Sequence, residues 1–353
     1  MSKCDMPLEE LLERLETLAN RSLTLWDIPD GATARLINVS ENATYLVEAG
    51  DFRSVLRVHR ENYHSERAIE CELAWSDALN AEAGITTPGV YVGRNGKRIQ
   101  QGSVPGLPAP RYMVMFHFVE GAQPDESQDL VGHFEKLGEI AARTHTHSAS
   151  WQRPGNFERL VWEEEAVFGR NPTWGDWRDG PEVDGQVREV LEEVEALVRQ
   201  RLAAFGKGPD RFGLIHADMR LANLLLSPEG PRLIDFDDCG MGWFLYDFAS
   251  AISFMEDHPA VPDLKAAWVR GYRRNRPLGA AEEREIDTFI MLRRMALLAW
   301  IGSHIEAPEP QALAPGFARV TADLGADYLR RMGEGQPVNS NCGPVKSVLR
   351  KSL

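Results

Sequence analysis

No stretch of this 353-residue chain approaches the roughly 20 consecutive apolar residues needed to cross a bilayer. The best candidate, Met295 to Ile301, is short and follows Arg293 and Arg294. The N-terminus lacks the basic start and apolar run of a secretory signal; Asp5, Glu9, Glu10 and Glu13 stand there instead. Cysteine is scarce: Cys4, Cys71, Cys239 and Cys342 are scattered without paired spacing, which argues against a disulfide framework or a zinc motif. Positive charge is in deficit, with 39 Lys and Arg against 53 Asp and Glu, a formal net charge of -14. A nucleic-acid groove needs clustered cations, so that partner is not expected, although a local basic cleft remains compatible with the balance. What remains is a globular, cytoplasmic chain with reduced thiols, whose 43% hydrophobic content supports packed cores.

The apolar pattern then divides the chain. Leu8 to Ala19 has leucines at helical spacing with acids between them, an amphipathic helix. Ala34 to Val39, Thr44 to Glu48 and Ser54 to His59 read as strands of an antiparallel meander, separated by turn-prone Glu41-Asn42 and Gly50-Asp51. Ser65 to Leu79 reads as a helix, broken by Gly84 to Pro88. Gly89 to Val92, Arg98 to Gln101 and Tyr112 to Phe118 are expected to close a small sheet ending at a hinge at Gly121. Beyond it, Asp129 to Thr144, Val183 to Ala204, Leu264 to Tyr272, Ala281 to Gly302 and Val320 to Met332 read as helices. The expected architecture is therefore α+β and bilobal. Its expected parts are a helical extension over 1–24, a small sheet lobe over 25–120, a larger helical lobe over 121–332 and a poorly ordered tail over 333–353.

Chemistry concentrates between His216 and Asp247. His216-Ala217-Asp218-Met219-Arg220 leads to Asn223 between two apolar runs, and Arg232-Leu233-Ile234 then leads to Asp235-Phe236-Asp237-Asp238. Such spacing suits a metal-nucleotide site: one carboxylate takes a proton from a hydroxyl, while an amide oxygen and a second carboxylate hold magnesium. A lone Asp or Asn in a turn is ordinarily a backbone cap. Only the combination in register raises the sharper reading.

These residues resemble the kinase catalytic signature, in which an Asp follows His by two positions and an Asn follows that Asp by five. His216, Asp218, Asn223 and Asp235 keep that order. The closer resemblance, over residues 33 to 330, is to the aminoglycoside phosphotransferase and choline kinase superfamily, with its protein-kinase-like fold. Asp-Phe-Asp-Asp and Tyr246-Asp247 are most similar to the branch of stress-response kinase A and type II homoserine kinases. The resemblance implies ATP and Mg2+, with Asp218 as the catalytic base and Arg220 stabilising the transferring phosphoryl group. Asn223 and Asp235 become the metal ligands, and Asp247 a buried brace. It also makes residues 25–120 the nucleotide-binding lobe. Val55-Leu56-Arg57-Val58 is similar to the strand that carries a phosphate-contacting Lys, here replaced by Arg57, with Glu72 as its ion-pair partner. Arginine keeps the charge but changes shape and reach. The hinge, Phe116 to Gly121, with Val119 chosen within it, is expected to offer backbone groups to adenine. A glycine-rich phosphate loop is missing, its place taken by Ser40 to Thr44.

The implied acceptor is a small molecule with a hydroxyl, such as an amino alcohol, an aminoglycoside or homoserine, with a protein Ser/Thr as the second reading. Arg57 in the Lys position motivates a third, a nucleotide-binding regulator. His145 and His147 form a His-x-His that could suit a metal hydrolase. Their place at the end of an expected helix, without a third ligand at a suitable spacing, makes the structural role the simpler one. Trp151, Trp162, Trp174 and Trp177 read as packing or substrate-pocket walls.

Overall fold

A computed structural model describes residues 6–39, 41–124, 130–227 and 230–333. The expected tail from residue 334, Ser40 and Asp129 lie outside the described residues. The N-terminal lobe opens with α1 (Leu8–Ser22), followed by β1 (Thr33–Val39), β2 (Ala43–Ala49), β3 (Phe52–Val58), α2 (Glu66–Glu82), β4 (Ile99–Gly102) and β5 (Arg111–His117). The five strands form one antiparallel sheet in the order β1-β2-β3-β5-β4.

Period-2 alternation gives that sheet two buried faces. Leu56, Val58, Met113 and Met115 pack with Leu15, Leu18 and Ala19 of α1 on one side. Val114 and Phe116 pack with Ile69 and Leu73 of α2 on the other. Each fully buried aliphatic side chain contributes about 1.5–3 kcal/mol, so α1 stabilises the sheet. The same alternation turns Arg57 onto the α2 face, where Glu72 sits. Ser65 caps α2 by accepting from the Ala68 N–H at 3.0 Å.

Gly89 to Val92, expected as a strand, is not one. β4 pairs with Arg111 to Val114. Residues 89–91 reach only the remainder of β5, through His117 N–H to Gly89 O and Tyr91 N–H to Met115 O, both 2.8 Å.

The C-terminal lobe is mainly helical: α3 (Leu130–Ser150), β6 (Leu160–Trp162), α4 (Glu164–Phe168), α5 (Gly185–Phe205), β7 (Phe212–Ile215), β8 (Leu224–Ser227), β9 (Gly230–Leu233), β10 (Gly240–Trp243), α6 (Tyr246–Ala251), α7 (Val261–Arg273), α8 (Ala280–Ser303), α9 (Pro308–Leu313) and α10 (Phe317–Gly333). Helix α3 runs past Thr144 to Ser150, so His145 and His147 lie near its C-terminal end, His147 in the last turn. α3 and α7 meet through glycine. A Cβ on Gly138 would stand 2.1 Å from Trp268 O, and one on Gly271 1.8 Å from Glu135 O. Helix-interior glycine costs about 1 kcal/mol, and here it permits backbone-to-backbone approach. Helix α8 is buried along most of its length from Ile286 to Ile301, as a helix apolar on most sides must be. No helix among the described residues is long and apolar enough to cross a membrane.

Candidate active site

A loop and a hairpin build the site. β7 delivers His216 to Arg220, a 3-10 turn spans Leu221–Asn223, and β8 pairs antiparallel with β9 in the register Leu224 opposite Leu233. That register continues one step further, the Ile234 N–H donating to Asn223 O at 3.0 Å. Asn223 and Asp235 therefore flank the two ends of one hairpin. Asp235 (φ 63°) and Ala217 (φ 64°) occupy the left-handed region, a backbone cost of order 1–3 kcal/mol each that the surrounding bonds must hold.

Asp247, fully buried, supplies much of that hold. Its Oδ1 accepts from Ala217 N–H at 2.7 Å, and its Oδ2 accepts from His216 N–H at 3.1 Å and His145 Nε2 at 2.8 Å. His145 Nδ1 lies 3.0 Å from the Tyr272 hydroxyl. Burial pushes His145 below its usual range despite the Asp247 charge, so a neutral imidazole donates to the carboxylate. His147 instead pairs with Glu82 at 3.0 Å. The two histidines serve different partners, and among the described residues no group of three His, Cys, Asp or Glu is arranged to hold a metal. These bonds fit the structural role expected for His145 and His147: the α3 helical period turns one inward beneath the loop and the other toward α2.

Asp218 is held by three donors. Arg220 Nε stands 3.2 Å from both carboxylate oxygens, Arg293 Nη2 donates to Oδ1 at 3.1 Å and Asn223 Nδ2 donates to Oδ2 at 2.9 Å. Burial opposes its charge, but Arg220 and Arg293 outweigh it and hold the carboxyl below the usual carboxylate range. With its nitrogen committed to Asp218, Asn223 presents its amide oxygen as the remaining polar group.

From the other lobe, Arg57 Nη1 donates to Glu72 Oε1 at 2.8 Å, and its Nη2 lies 3.8 Å from Asp235 Oδ1. Burial works against the Arg57 charge; Glu72, then Asp237 and Asp235, more than compensate and raise its pKa. Enclosure, then the neighbouring Asp237, pushes Asp235 well above the usual carboxylate range. Its side chain nevertheless keeps 44% exposure inside the cleft, so water still reaches it beside the like charge of Asp237. Enclosure and Asp237 likewise raise Asp238 and Glu41. Two N-lobe groups bond to this acidic strip, Tyr63 donating to Asp238 at 2.8 Å and Asn42 donating to Asp237, while Glu41 accepts from Trp300 Nε1 of α8 at 2.7 Å.

A cleft of about 760 Å³ between the lobes is lined by Arg57, Glu72, Val119, Asp218, Arg220, Asn223 and Asp235. All seven residues singled out from the sequence thus border one cavity. Val55, Phe116, Ile234, Trp174, Phe254 and Trp300 line it as well. Sequence reasoning missed several contributors. In the sequence, Arg293 and Arg294 stand as the polar flank of an apolar run; two arginines inside a buried helical stripe are the available signal. Arg159 gave none: its buried guanidinium donates to Cys239 O at 2.7 Å and Ala68 O at 3.0 Å, tying α2 to the Asp235–Cys239 turn.

A bilobal fold with acid, amide and acid around an interlobe cleft defines a protein-kinase-like phosphotransferase, and the chain belongs to the phosphotransferase enzyme family, whose model matches residues 33–284. A solved microcompartment-associated aminopropanol kinase is 43% identical and superposes with a TM-score of 0.83, covering 89% of this chain and 98% of that one. The amicoumacin kinase of Bacillus subtilis (strain 168) is 24% identical over 300 residues, 81% of this chain and 85% of its own length. An amicoumacin kinase solved with AMP-PNP, Ca2+ and Ami shares the fold, with a TM-score of 0.69, 19% identity and coverage of 90% of this chain and 94% of that one.

Proposed function

We propose that the chain transfers the γ-phosphoryl group of ATP, with Mg2+, to the hydroxyl of a small amino alcohol. The observation that carries the reading is the convergence of Asp218, Asn223 and Asp235 on the cleft that Arg57 and Glu72 enter from the opposite lobe. The donor chemistry fits Mg2+: an amide oxygen and a carboxylate are hard ligands, and two protein ligands suit an ion that keeps phosphate oxygens and waters in its shell. Mg2+ held by Asn223 and Asp235 would neutralise charge on the phosphates.

The chain's own groups do the rest. Asp218 orients the acceptor hydroxyl and takes its proton as the oxygen attacks the γ-phosphorus; the bond to the bridging oxygen breaks and ADP leaves. Arg220, beside Asp218, faces the charge that builds on the phosphoryl oxygens. Arg57, held by Glu72, meets the α- and β-phosphates. Val119, which lines the cleft with apolar Val55 and Ile234, offers its backbone groups to adenine.

The amino-alcohol choice is supported by the 43% identical aminopropanol kinase, matched over nearly its whole length. Glu41, Asp238 and Glu309 on the cleft also suit a cationic acceptor. Kinases matched here are named for aminopropanol, amicoumacin and hydroxylysine, which favours a small molecule over a protein Ser/Thr. The regulator reading loses its motive, because Arg57 makes the ion pair with Glu72 that the Lys was expected to make.

The test is ATP turnover with Mg2+ over a panel of 1-amino-2-propanol, ethanolamine, choline, homoserine, hydroxylysine and a Ser/Thr peptide. An amino alcohol should be phosphorylated fastest, and Asp218→Asn should cut turnover about 10²–10⁴-fold with nucleotide affinity retained. Selective phosphorylation of the peptide, or an Asp218→Asn variant as fast as wild type, would overturn the assignment.

A further inference from the structure

Arg293 belongs to α8, far along the chain from the catalytic loop, yet its guanidinium is 2% exposed and every edge of it is engaged. Nη2 donates to Asp218 Oδ1 at 3.1 Å, Nε to Ser253 Oγ at 3.1 Å and Nη1 to the Tyr246 hydroxyl at 3.5 Å. Its plane also lies over the Trp174 ring at 4.9 Å. Arg220 differs: it is a third exposed and stands beside Asp218 from within the same loop. Arg220 is free to follow a phosphoryl group, whereas Arg293 is fixed by three elements.

We propose that Arg293 is the positioning residue for the Asp218 carboxylate: it pins Oδ1 from below, leaving the carboxylate in one orientation toward the acceptor hydroxyl. Two observations lead there. The oxygens of Asp218 are divided, Oδ1 to Arg293 and Oδ2 to Asn223, so rotation of the carboxylate breaks a charged bond. The neighbourhood is also acidic, with Asp235 and Asp238 on the same cleft, and the fixed Arg293 cation, beside the more exposed Arg220, offsets their repulsion and holds the Asp218 carboxylate in place. Asn223 cannot supply that charge. An arginine suits the post because its planar fork grips Ser253, Tyr246 and Asp218 at once, which an ammonium does less well.

The inference rests on Asp218 acting on the acceptor, and a double-mutant cycle separates the two ideas. Turnover is measured for wild type, Asp218→Asn, Arg293→Met and the double variant, with thermal melts of each. Arg293→Met should lower kcat about 10²-fold, the scale of a misplaced catalytic group, while KM for ATP stays near wild type. Arg293→Lys should recover part of that loss. In the Asp218→Asn background, Arg293→Met should cost almost nothing more, because it acts through the carboxylate already removed. Multiplicative losses in the double variant, an equal rise in KM for ATP, or failure of both the Met and Lys variants to fold would overturn the positioning role and leave Arg293 a scaffold residue. An Asp218→Asn variant with wild-type turnover would instead sink the reading of Asp218 itself.

Discussion

Removing the Asp247 carboxylate tests whether the loop from His216 to Arg220 is held from beneath. In Asp247→Ala, the N–H groups of His216 and Ala217 and the Nε2–H of His145 lose their acceptor at a fully buried position. A buried donor left without a partner costs about 1–3 kcal/mol. The three share one site and do not add, so the expected loss is about 3–5 kcal/mol, the scale for breaking a buried charged contact. That is a large part of the roughly 5–15 kcal/mol by which a domain is stable. The left-handed Ala217 then has less to hold it, so Asp218 should lose its orientation and turnover should fall even in the molecules that remain folded. Urea unfolding followed by tryptophan fluorescence, with turnover measured well below the transition, gives both quantities. A loss under about 1 kcal/mol, within the value of one ordinary hydrogen bond, together with normal turnover would refute the brace.

Two further outcomes follow from the same geometry. Arg57→Met should lower kcat/KM for ATP by about 10- to 150-fold, the kinetic equivalent of one charged hydrogen bond, whereas Arg57→Lys should remain active; a large gain on Arg57→Lys would revive the regulator reading. His59 and His64 are buried near Arg57 and Arg159, and burial pushes His64 down to about 3 and His59 well below its usual range. The unfolded chain takes up their protons near the ordinary histidine value, so their contribution is complete above it. It is lost as pH falls, by about 1.4 kcal/mol per pH unit for each histidine. The acids of the cleft, raised in the folded state, titrate in the opposite sense. The informative measurement is therefore wild type against His64→Gln at pH 7 and pH 5, where the variant should lose less stability; equal slopes would refute the neutral buried imidazole.

The sequence alone carried whatever depends on local period and spacing. Apolar runs between turn-prone residues marked β1, β2, β3 and β5, and the 3.6-residue repeat marked the main helices, because each pattern is written in neighbouring residues. The interval from His216 through Asn223 to Asp235 likewise pointed to the candidate site, since a short loop and one hairpin bring those groups together within a few residues. Residues 89–91 were misjudged because whether an extended segment becomes a strand depends on how much free edge β5 leaves it. The pairings of His145, Arg159 and Arg293 were beyond reach for a related reason. Their partners, Asp247, Cys239 and Asp218, lie 102, 80 and 75 positions away, and no local pattern encodes a pairing made by packing one helix or loop against another. Tertiary structure alone decided which buried charges face each other, and that decision sets how firmly the Asp218 carboxylate is held.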